Sequence, residues 1–218
     1  MNNFNEADYL RGSNPRSPGQ FPAKTHKEAE RSLDDERDPL AGLNVDERIE
    51  LAADPNTPVE VLIRLSEDEH PDVRRGVAYN PNALTEVLVR LSEDEYPDVR
   101  RGVARSSNAL TEVLVRLSED EYPDVRWGVA YNPNAPAEAL TRLGKDEDRW
   151  VRQGVARNPN TPTSVLTQLS GDEYPDVRRG VAWNPNAPAE VLNRLSEDED
   201  WDVRDSARQA LEARANAN

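Results

Sequence analysis

Apolar residues recur along this chain in short helical patterns separated by polar corners. Val61, Leu62 and Leu65 fall on one face at helical spacing, and in a second kind of segment Val99 and Val103 stand four residues apart. An acidic turn follows the first kind of segment, and a corner rich in asparagine and proline follows the second. Because such corners favour turns, the pattern predicts pairs of short helices in which no helix runs into the next.

The pair of segments is written six times with one period. The copies start at Asp54, Asn80, Ser106, Asn132, Asn158 and Asn184, a spacing of 26 residues throughout. Helices this short are marginal alone, so stacking of neighbouring units must stabilise them. A fixed period of this kind is the pattern of a repeat protein. The predicted fold class is therefore all-α, a helical-repeat solenoid of six two-helix units with terminal caps.

Helix starts and one glycine position follow from residues at fixed places in the unit. Thr57, Pro58 and Glu60 are typical of an N-cap with a capping box. The second segment opens with proline and an acid, which suit the first turn of a helix. Mid-helix Gly102 and its copies cost about 1 kcal/mol relative to alanine. We therefore expect this glycine to admit a neighbouring backbone.

The ends of the chain depart from the repeat. The expected domains are a flexible polar N-terminal tail (1–35), an N-terminal cap helix (36–53), the six-unit array (54–209) and a C-terminal capping extension (210–218). Asn44 is the expected N-cap of the cap helix. Phe4 and Phe21, both phenylalanines of the protein, lie in the tail. The tail is either a segment that docks through them or a dispensable leader.

Composition excludes several classes of function. The chain has no cysteine and two histidines, His26 and His70, which disfavours thiolate chemistry, a Ser-His-Asp triad and a multi-histidine zinc site. We expect no enzyme activity, no metal and no cofactor. The net charge of −15 disfavours nonspecific nucleic-acid binding. Without a long apolar run or a signal-peptide pattern, we expect a cytoplasmic monomer with no membrane partner.

The phrase shared by the units, NPNAPAEVLxRLSEDEYPDVRRGVAx, resembles the leucine-rich repeat variant family. It is also similar to HEAT-like repeats of the bilin-lyase type, which share D-x-V-R-x-x-V-A. The resemblance covers roughly residues 44–209. It implies a right-handed all-helical superhelix used mainly for binding, with a few lyases and DNA-repair enzymes among the relatives. Some members are associated with an iron–sulfur module, which a chain without cysteine cannot carry.

Two columns of arginine in the array are interpreted as structural. On the first helices, arginine follows glutamate by four residues in five units, as Arg90 follows Glu86, which is a favourable helical pair. On the second helices, an arginine stands in every unit, and we expect its partner to be the aspartate two residues before it. This column is either an anion-binding ladder or an Asp–Arg network that ties the units together, and its uniformity suits the network. Its members are Arg74, Arg100, Arg126, Arg152, Arg178 and Arg204, with Asp72, Asp98, Asp124, Asp176 and Asp202.

A third pattern varies, mostly among arginine, tryptophan and tyrosine. It occupies two positions four residues apart on the second helices, and these residue types dominate binding hot spots. We interpret it as a recognition stripe. The alternative is that the rings cover seams between units while the arginines pair with nearby acids. The predicted site residues are Arg75, Tyr79, Arg101, Arg105, Trp127, Tyr131, Arg157, Arg179 and Trp183.

The acidic turns, such as Ser66–Glu69, form a ridge along one edge of the predicted array. The ridge could bind a basic partner or calcium, but it lacks the ligand spacing and central glycine of a calcium loop. A solvated face is the favoured interpretation.

The expected function is a non-enzymatic binding scaffold that recognises a protein or peptide partner along the stripe. Two alternatives use the same groove. One is a binder of damaged or single-stranded nucleic acid, with arginines on phosphates and tryptophans stacked on bases. The other is a HEAT-like DNA-repair or lyase enzyme, for which Asp205, one unit along from Trp183, is the acid available.

Overall fold

The computed structural model describes residues 38–216, and within them the chain forms thirteen α-helices and no strand. The predicted tail at 1–35, with Phe4 and Phe21, lies outside the described residues. Residues 38–41 form a turn closed by a backbone hydrogen bond of 2.9 Å. The described residues that follow them make one compact unit.

The helices of this unit alternate between two kinds, as the hydrophobic pattern predicts. The chain begins with α1 (Val45–Ala53) and ends with α13 (Trp201–Asn216). The first helices of the units, seven residues each, are α2 (Val59–Leu65), α4 (Thr85–Leu91), α6 (Thr111–Leu117), α8 (Ala137–Leu143), α10 (Thr163–Leu169) and α12 (Ala189–Leu195). The second helices, nine residues each, are α3 (Pro71–Tyr79), α5 (Pro97–Arg105), α7 (Pro123–Tyr131), α9 (Arg149–Arg157) and α11 (Pro175–Trp183).

Each unit gives the same apolar residues to a continuous core. Val61, Leu62 and Leu65 of α2 are buried, as are Val99 and Val103 of α5 and the copies of all five. Each second helix packs on the second helix of the next unit, so the core continues along the array. Burying one such side chain contributes about 1.5–3 kcal/mol. Stacking thus stabilises helices that are too short to persist alone.

The mid-helix glycine lies where successive second helices come closest. A Cβ built on Gly102 would lie 2.9 Å from the Cβ of Ala78 and 3.5 Å from the carbonyl oxygen of Arg75 in the preceding unit. The same approach joins Gly76 to Ala52, Gly128 to Ala104, Gly154 to Ala130 and Gly180 to Ala156. The prediction that this glycine admits a neighbouring helix is confirmed, and the small alanine opposite completes the fit.

A largely buried arginine joins each second helix to the following unit, and we call this arginine with its aspartate partner the arginine clamp. Arg100 donates from Nε and Nη2 to the Asp120 carboxylate, at 2.6 and 3.0 Å, and from Nη1 to the carbonyl oxygen of Asp94 at 2.7 Å. The side chains of Arg100 and Asp120 are only 11% and 8% exposed. The clamp recurs as Arg48–Asp68, Arg74–Asp94, Arg126–Asp146, Arg152–Asp172 and Arg178–Asp198.

The clamp confirms a network between units but corrects its predicted partner. The expected carboxylate, Asp98 for Arg100, pairs instead with Arg101 at 2.8 Å. The carboxylate that Arg100 binds belongs to the acidic turn of the next unit, twenty residues along the chain. All three guanidinium nitrogens of Arg100 already donate within the protein, which favours the network over the anion-binding ladder.

The exposed arginines of the first helices also bridge units, and Arg142 has the expected partner as well, since its Nη2 lies 3.9 Å from the Glu138 carboxylate. Arg90 donates to the Glu67 carboxylate at 2.9 Å and to the Ser66 hydroxyl, both in the preceding turn. It forms no ion pair with Glu86, four residues before it. Contacts to the preceding acidic turn recur for Arg116, Arg142 and Arg194.

Polar side chains at the corners bind the preceding unit as well. Asn80 is 1% exposed, and its amide donates to the carbonyl oxygens of Ala52 and Asp54 at 2.8 and 2.9 Å. Asn132, Asn158 and Asn184 repeat these bonds in their own units, whereas the unit between Asn80 and Asn132 has Ser106 at this position. The corner asparagine therefore links units besides turning the chain.

Of the two predicted N-cap residues, Asn44 is right and Thr57 is wrong. Asn44 caps α1 in a capping box, since its side chain accepts from the Glu47 N–H at 3.0 Å and the Glu47 carboxylate accepts from its own N–H at 2.8 Å. Thr57 does not cap α2, which begins at Val59 without a side-chain cap. The Thr57 hydroxyl donates instead to the carbonyl oxygen of Leu51 in α1.

The last helix closes the array without a break at the predicted boundary after residue 209. α13 runs for 16 residues, and Arg214 near its end donates to the carbonyl oxygens of Ala187 and Pro185, both at 2.8 Å. These bonds cover the corner of the last unit. Arg204, at the clamp position of α13, donates to the carbonyl oxygens of Asp198 and Glu199.

Two of the clamp carboxylates, Asp68 and Asp198, have lowered pKa values. Burial acts to raise the pKa of Asp198, but hydrogen bonds from Arg178 and from the Asp200 N–H outweigh it, and the pKa lies below its ordinary value. The pKa of Asp68 is lowered in the same way, against the effect of burial, by Arg48 and the His70 N–H. The carboxyls of Asp68 and Asp198 therefore stay ionised in the folded protein to a lower pH than in the unfolded chain.

Deletion of one whole unit, residues 80–105, should leave a folded shorter array, because the new neighbours offer each other the same contacts. Deletion of residues 80–92 alone removes a first helix and should collapse the helical content. Circular dichroism and urea unfolding of both variants measure this. Equal loss of helix in the two variants would contradict a repeat-based fold.

Arg74→Ala should lower the free energy of unfolding by about 3 kcal/mol, because it leaves the buried Asp94 carboxylate without its cation. Arg90→Ala is the matched control. It removes an arginine from a pair whose side chains are 49% and 64% exposed, and it should cost less than about 1 kcal/mol. Urea titration of both variants gives the comparison, and equal losses would contradict the clamp's structural role.

Acid should destabilise the array in a definite window. A carboxyl with a lowered folded pKa contributes stability that is complete above its unfolded pKa of about 4 and is lost as the pH falls through the folded value. The free energy of unfolding should therefore fall as the pH drops below about 4. Asp198→Asn should be less stable at pH 7 and should lose less on acidification than the parent. An unchanged pH dependence in this variant would contradict the assignment.

Candidate binding groove

The stripe positions lie side by side on successive second helices, and one part of the stripe forms a groove. The groove is open, has a volume of about 640 Å³ and crosses α5, α7 and α9. Its lining comprises Arg101, Arg105, Pro123, Asp124, Trp127, Tyr131, Asp148, Trp150 and Gln153. Four of the nine predicted site residues are thus brought together, two from α5 and two from α7.

The two aromatic rings on α7 pack on each other inside the groove. The ring centroids of Trp127 and Tyr131 are 4.6 Å apart, with their planes tilted by 43°. The Arg105 guanidinium of the preceding unit lies 5.1 Å from the centre of the Trp127 ring. Trp127 is half-buried and Tyr131 is 36% exposed. The indole is therefore held from one side while both rings remain available to line the groove.

The arginines of the groove are already engaged. Arg101 Nη2 lies 2.8 Å from the Asp98 carboxylate three residues before it. Arg105 contributes its guanidinium to the contact with Trp127. Local pairing of the stripe arginines, which the sequence left open, therefore occurs at Arg101, and it recurs for Arg75 with Asp72 at 2.7 Å.

The remaining stripe residues do not line the groove. Arg75 and Tyr79 lie on α3, where the Tyr79 side chain is 41% exposed. At the other end Trp183 is 52% exposed and lies between two guanidinium groups, 4.8 Å from Arg157 and 5.0 Å from Arg179. Arg157, Arg179 and Trp183 therefore form a separate cluster.

Sequence reasoning missed Trp150, which is 48% exposed and lines the groove from α9. The sequence contained a sign of it, because this unit departs from the repeat and has Asp148, Arg149 and Trp150 where three other units have Tyr-Pro-Asp. Asp148 caps α9 by accepting from the Trp150 and Val151 N–H groups at 2.7 and 3.2 Å. Arg149 lies 4.5 Å from the Trp150 ring centre. The substitution thus exchanges a proline start for a side-chain cap and places an indole at the groove.

Metal sites, membrane-spanning helices or a catalytic acid such as Asp205 would indicate other kinds of function in the described part of the chain. Within residues 38–216 no group of three or more histidines, aspartates or glutamates could hold a metal ion. No helix in that range is long and apolar enough to cross a membrane. Asp205, the acid named for an enzymatic alternative, accepts a hydrogen bond of 2.7 Å from Gln209 and does not line the groove.

Comparisons with known proteins match most of the array. A family model described as Leucine Rich Repeat Variant domain matches residues 46–107, and one described as Leucine rich repeat variant matches residues 123–148, 149–173 and 175–200. Curated proteins gave no match.

Two solved structures are similar to this chain. One, titled as a leucine-rich repeat variant with a novel repetitive protein structural motif, is 34% identical with a TM-score of 0.58, over 77% of this chain and 67% of its own. The other, described as an engineered protein, is 20% identical with a TM-score of 0.44, over 71% of this chain and 95% of its own. By its repeats, its helical architecture and the first of these matches, the chain belongs to the leucine-rich repeat variant family.

Proposed function

We propose that this protein is a non-enzymatic scaffold that binds a protein or peptide segment in the groove across α5, α7 and α9. The observation that carries the proposal is the set of three aromatic side chains, Trp127, Tyr131 and Trp150, that line one open groove. Tryptophan and tyrosine supply most anchors at protein interfaces because a large, stiff ring loses little entropy on binding.

The form of the groove favours an extended segment as the ligand. It crosses three consecutive units, and repeat proteins bind along the surface that their stacked helices build. Its lining comes from helices held by clamps on both sides, Arg100–Asp120 and Arg152–Asp172. The anchors are therefore positioned before a partner arrives, which lowers the entropic cost of binding.

The charges around the groove argue against the nucleic-acid alternative. Arg101 is neutralised by Asp98, and Arg105 lies on Trp127. Asp124 and Asp148 add two carboxylates to the lining, and the whole chain carries a net charge of −15. Phosphate groups in the groove would meet repulsion in place of the free arginines that such ligands need.

Trp127→Ala should weaken binding of the partner by roughly 1 to 4 kcal/mol, the range for an anchor in an interface. The partner is captured with the full chain, and the affinities are measured by isothermal titration calorimetry. Arg90→Ala is the control, because its bridge to Glu67 and Ser66 lies outside the groove. It should leave the affinity nearly unchanged, and circular dichroism should show both variants folded.

Three results would contradict the proposal. If Trp127→Ala unfolds the array, the ring covers a seam between units. If the folded variant binds normally, the partner uses another surface. If the captured ligand is a nucleic acid whose affinity falls steeply with salt, the protein belongs to the alternative class.

A further inference from the structure

One position of the repeat holds a cation in α11 and an aromatic ring in α7. In α11 it is Arg179, whose guanidinium lies 2.9 Å from the Asp176 carboxylate, 3.6 Å from Asp202 of the next unit and 5.0 Å from the Trp183 ring centre. The chain's own side chain thus shows how a guanidinium is held here, between carboxylates and over an indole.

In α7 the same surroundings lack the cation. Trp127 stands where α11 has Arg179, Tyr131 where it has Trp183, and Trp150 where the next unit has Asp202. Asp124 keeps the position of Asp176. The groove therefore retains one carboxylate and gains aromatic rings at the place where α11 has its arginine.

Asp124 is consequently left without a partner. Its counterparts Asp72, Asp98 and Asp176 each pair with an arginine three residues on, at 2.7, 2.8 and 2.9 Å. Among residues 38–216, Asp124 has neither an ion pair nor a side-chain hydrogen bond, because its position three residues on is Trp127. It is exposed and lines the groove.

The other charges nearby leave room for a cation. Of the two arginines in the lining, Arg101 pairs with Asp98 and Arg105 lies on Trp127, and the neighbouring Arg149 lies 4.5 Å from the Trp150 ring centre. Asp148 adds a second carboxylate to the lining. A cation held over an aromatic face and beside a carboxylate gains from both. The acidic turns and the net charge of −15 also attract basic partners over a longer range.

We propose that the groove at Asp124, Trp127 and Trp150 binds the arginine or lysine side chain of a basic peptide segment, beside the carboxylate whose counterpart in α11 pairs with Arg179. This inference rests on the proposed function and adds the chemistry of the partner. The cation pairs with Asp124, and its hydrocarbon stem packs on the rings.

The test uses a fluorescein-labelled peptide, Gly-Ser-Gly-Arg-Gly-Ser-Gly, titrated with the full chain by fluorescence anisotropy. A second peptide carries citrulline in place of arginine and so has nearly the same shape without the charge. The arginine peptide should bind about tenfold tighter, as expected for a charge-assisted hydrogen bond. A lysine peptide should also bind tighter than the citrulline peptide.

Two aspartate variants separate a local site from general attraction to an acidic chain. Asp124→Asn should weaken binding of the arginine peptide about tenfold. Asp176→Asn removes the same charge from the same helix position two units along, where Arg179 already occupies the carboxylate. It should change the affinity less than about twofold.

A third variant keeps the fold intact by using the protein's own pattern. Trp127→Arg places at this position the residue that Arg75, Arg101 and Arg179 provide in other units. It supplies Asp124 with an internal cation and should abolish the preference for arginine over citrulline. Circular dichroism should match the parent.

Failure of this inference is distinguishable from failure of the proposed function. Equal binding of the arginine and citrulline peptides, or equal weakening by Asp124→Asn and Asp176→Asn, overturns the cation site. If Trp127→Ala still abolishes binding of a captured protein partner in that case, the proposed function stands. If no peptide binds and Trp127→Ala leaves a captured partner's affinity unchanged, both proposals fall.

Discussion

The buried arginine clamp is the interaction on which the order of this array depends. Hydrophobic burial stabilises the stack, but it is non-directional and does not by itself fix where one unit sits on the next. The clamp does so, because a planar guanidinium binds a carboxylate in a defined geometry. Asp120 accepts two bonds from Arg100 and a third, at 3.0 Å, from the Tyr122 N–H in its own turn. A single carboxylate thus sets both the shape of the turn and the position of its unit.

The geometry of the groove follows from the regular stacking of the units that the clamps fix. Once every unit sits in the same relation to the last, each position of the second helix recurs at a fixed offset, and residues from neighbouring units meet at defined distances. Arg105 reaches Trp127 in the following unit for this reason, and Arg157 reaches Trp183 in the same manner. The residues that recur in every unit form the core and the clamps. The residues that differ between units determine the chemistry of each part of the surface.

The sequence predicts the period, the helix pairs and the core face because these depend on local spacing. It predicts hydrogen-bond and ion-pair partners in other units poorly, because helix spacing identifies only neighbours three or four residues away along the chain. Arg90 illustrates this, since its partners Glu67 and Ser66 lie in the preceding turn. The loss of arginine at Gln168 has the same explanation. The turn that it faces carries Gly144 and Lys145 in place of serine and glutamate, and Gln168 donates to the Gly144 carbonyl oxygen at 3.3 Å. Trp150 was overlooked for a related reason, because along the chain it is only an interruption in a column of aspartates.

The substitutions that create the groove leave the contacts between units intact, so the array can accommodate them. In the unit of α9 the usual tyrosine and proline are absent, so the helix loses its proline start. Asp148 replaces that start with two hydrogen bonds to backbone N–H groups. The clamps on either side, Arg126–Asp146 and Arg152–Asp172, both keep a closest distance of 2.7 Å. A repeat whose units are joined by directional bonds can therefore exchange exposed residues without loss of these bonds, and the substitutions at Trp127 and Trp150 suffice to line a groove with aromatic rings.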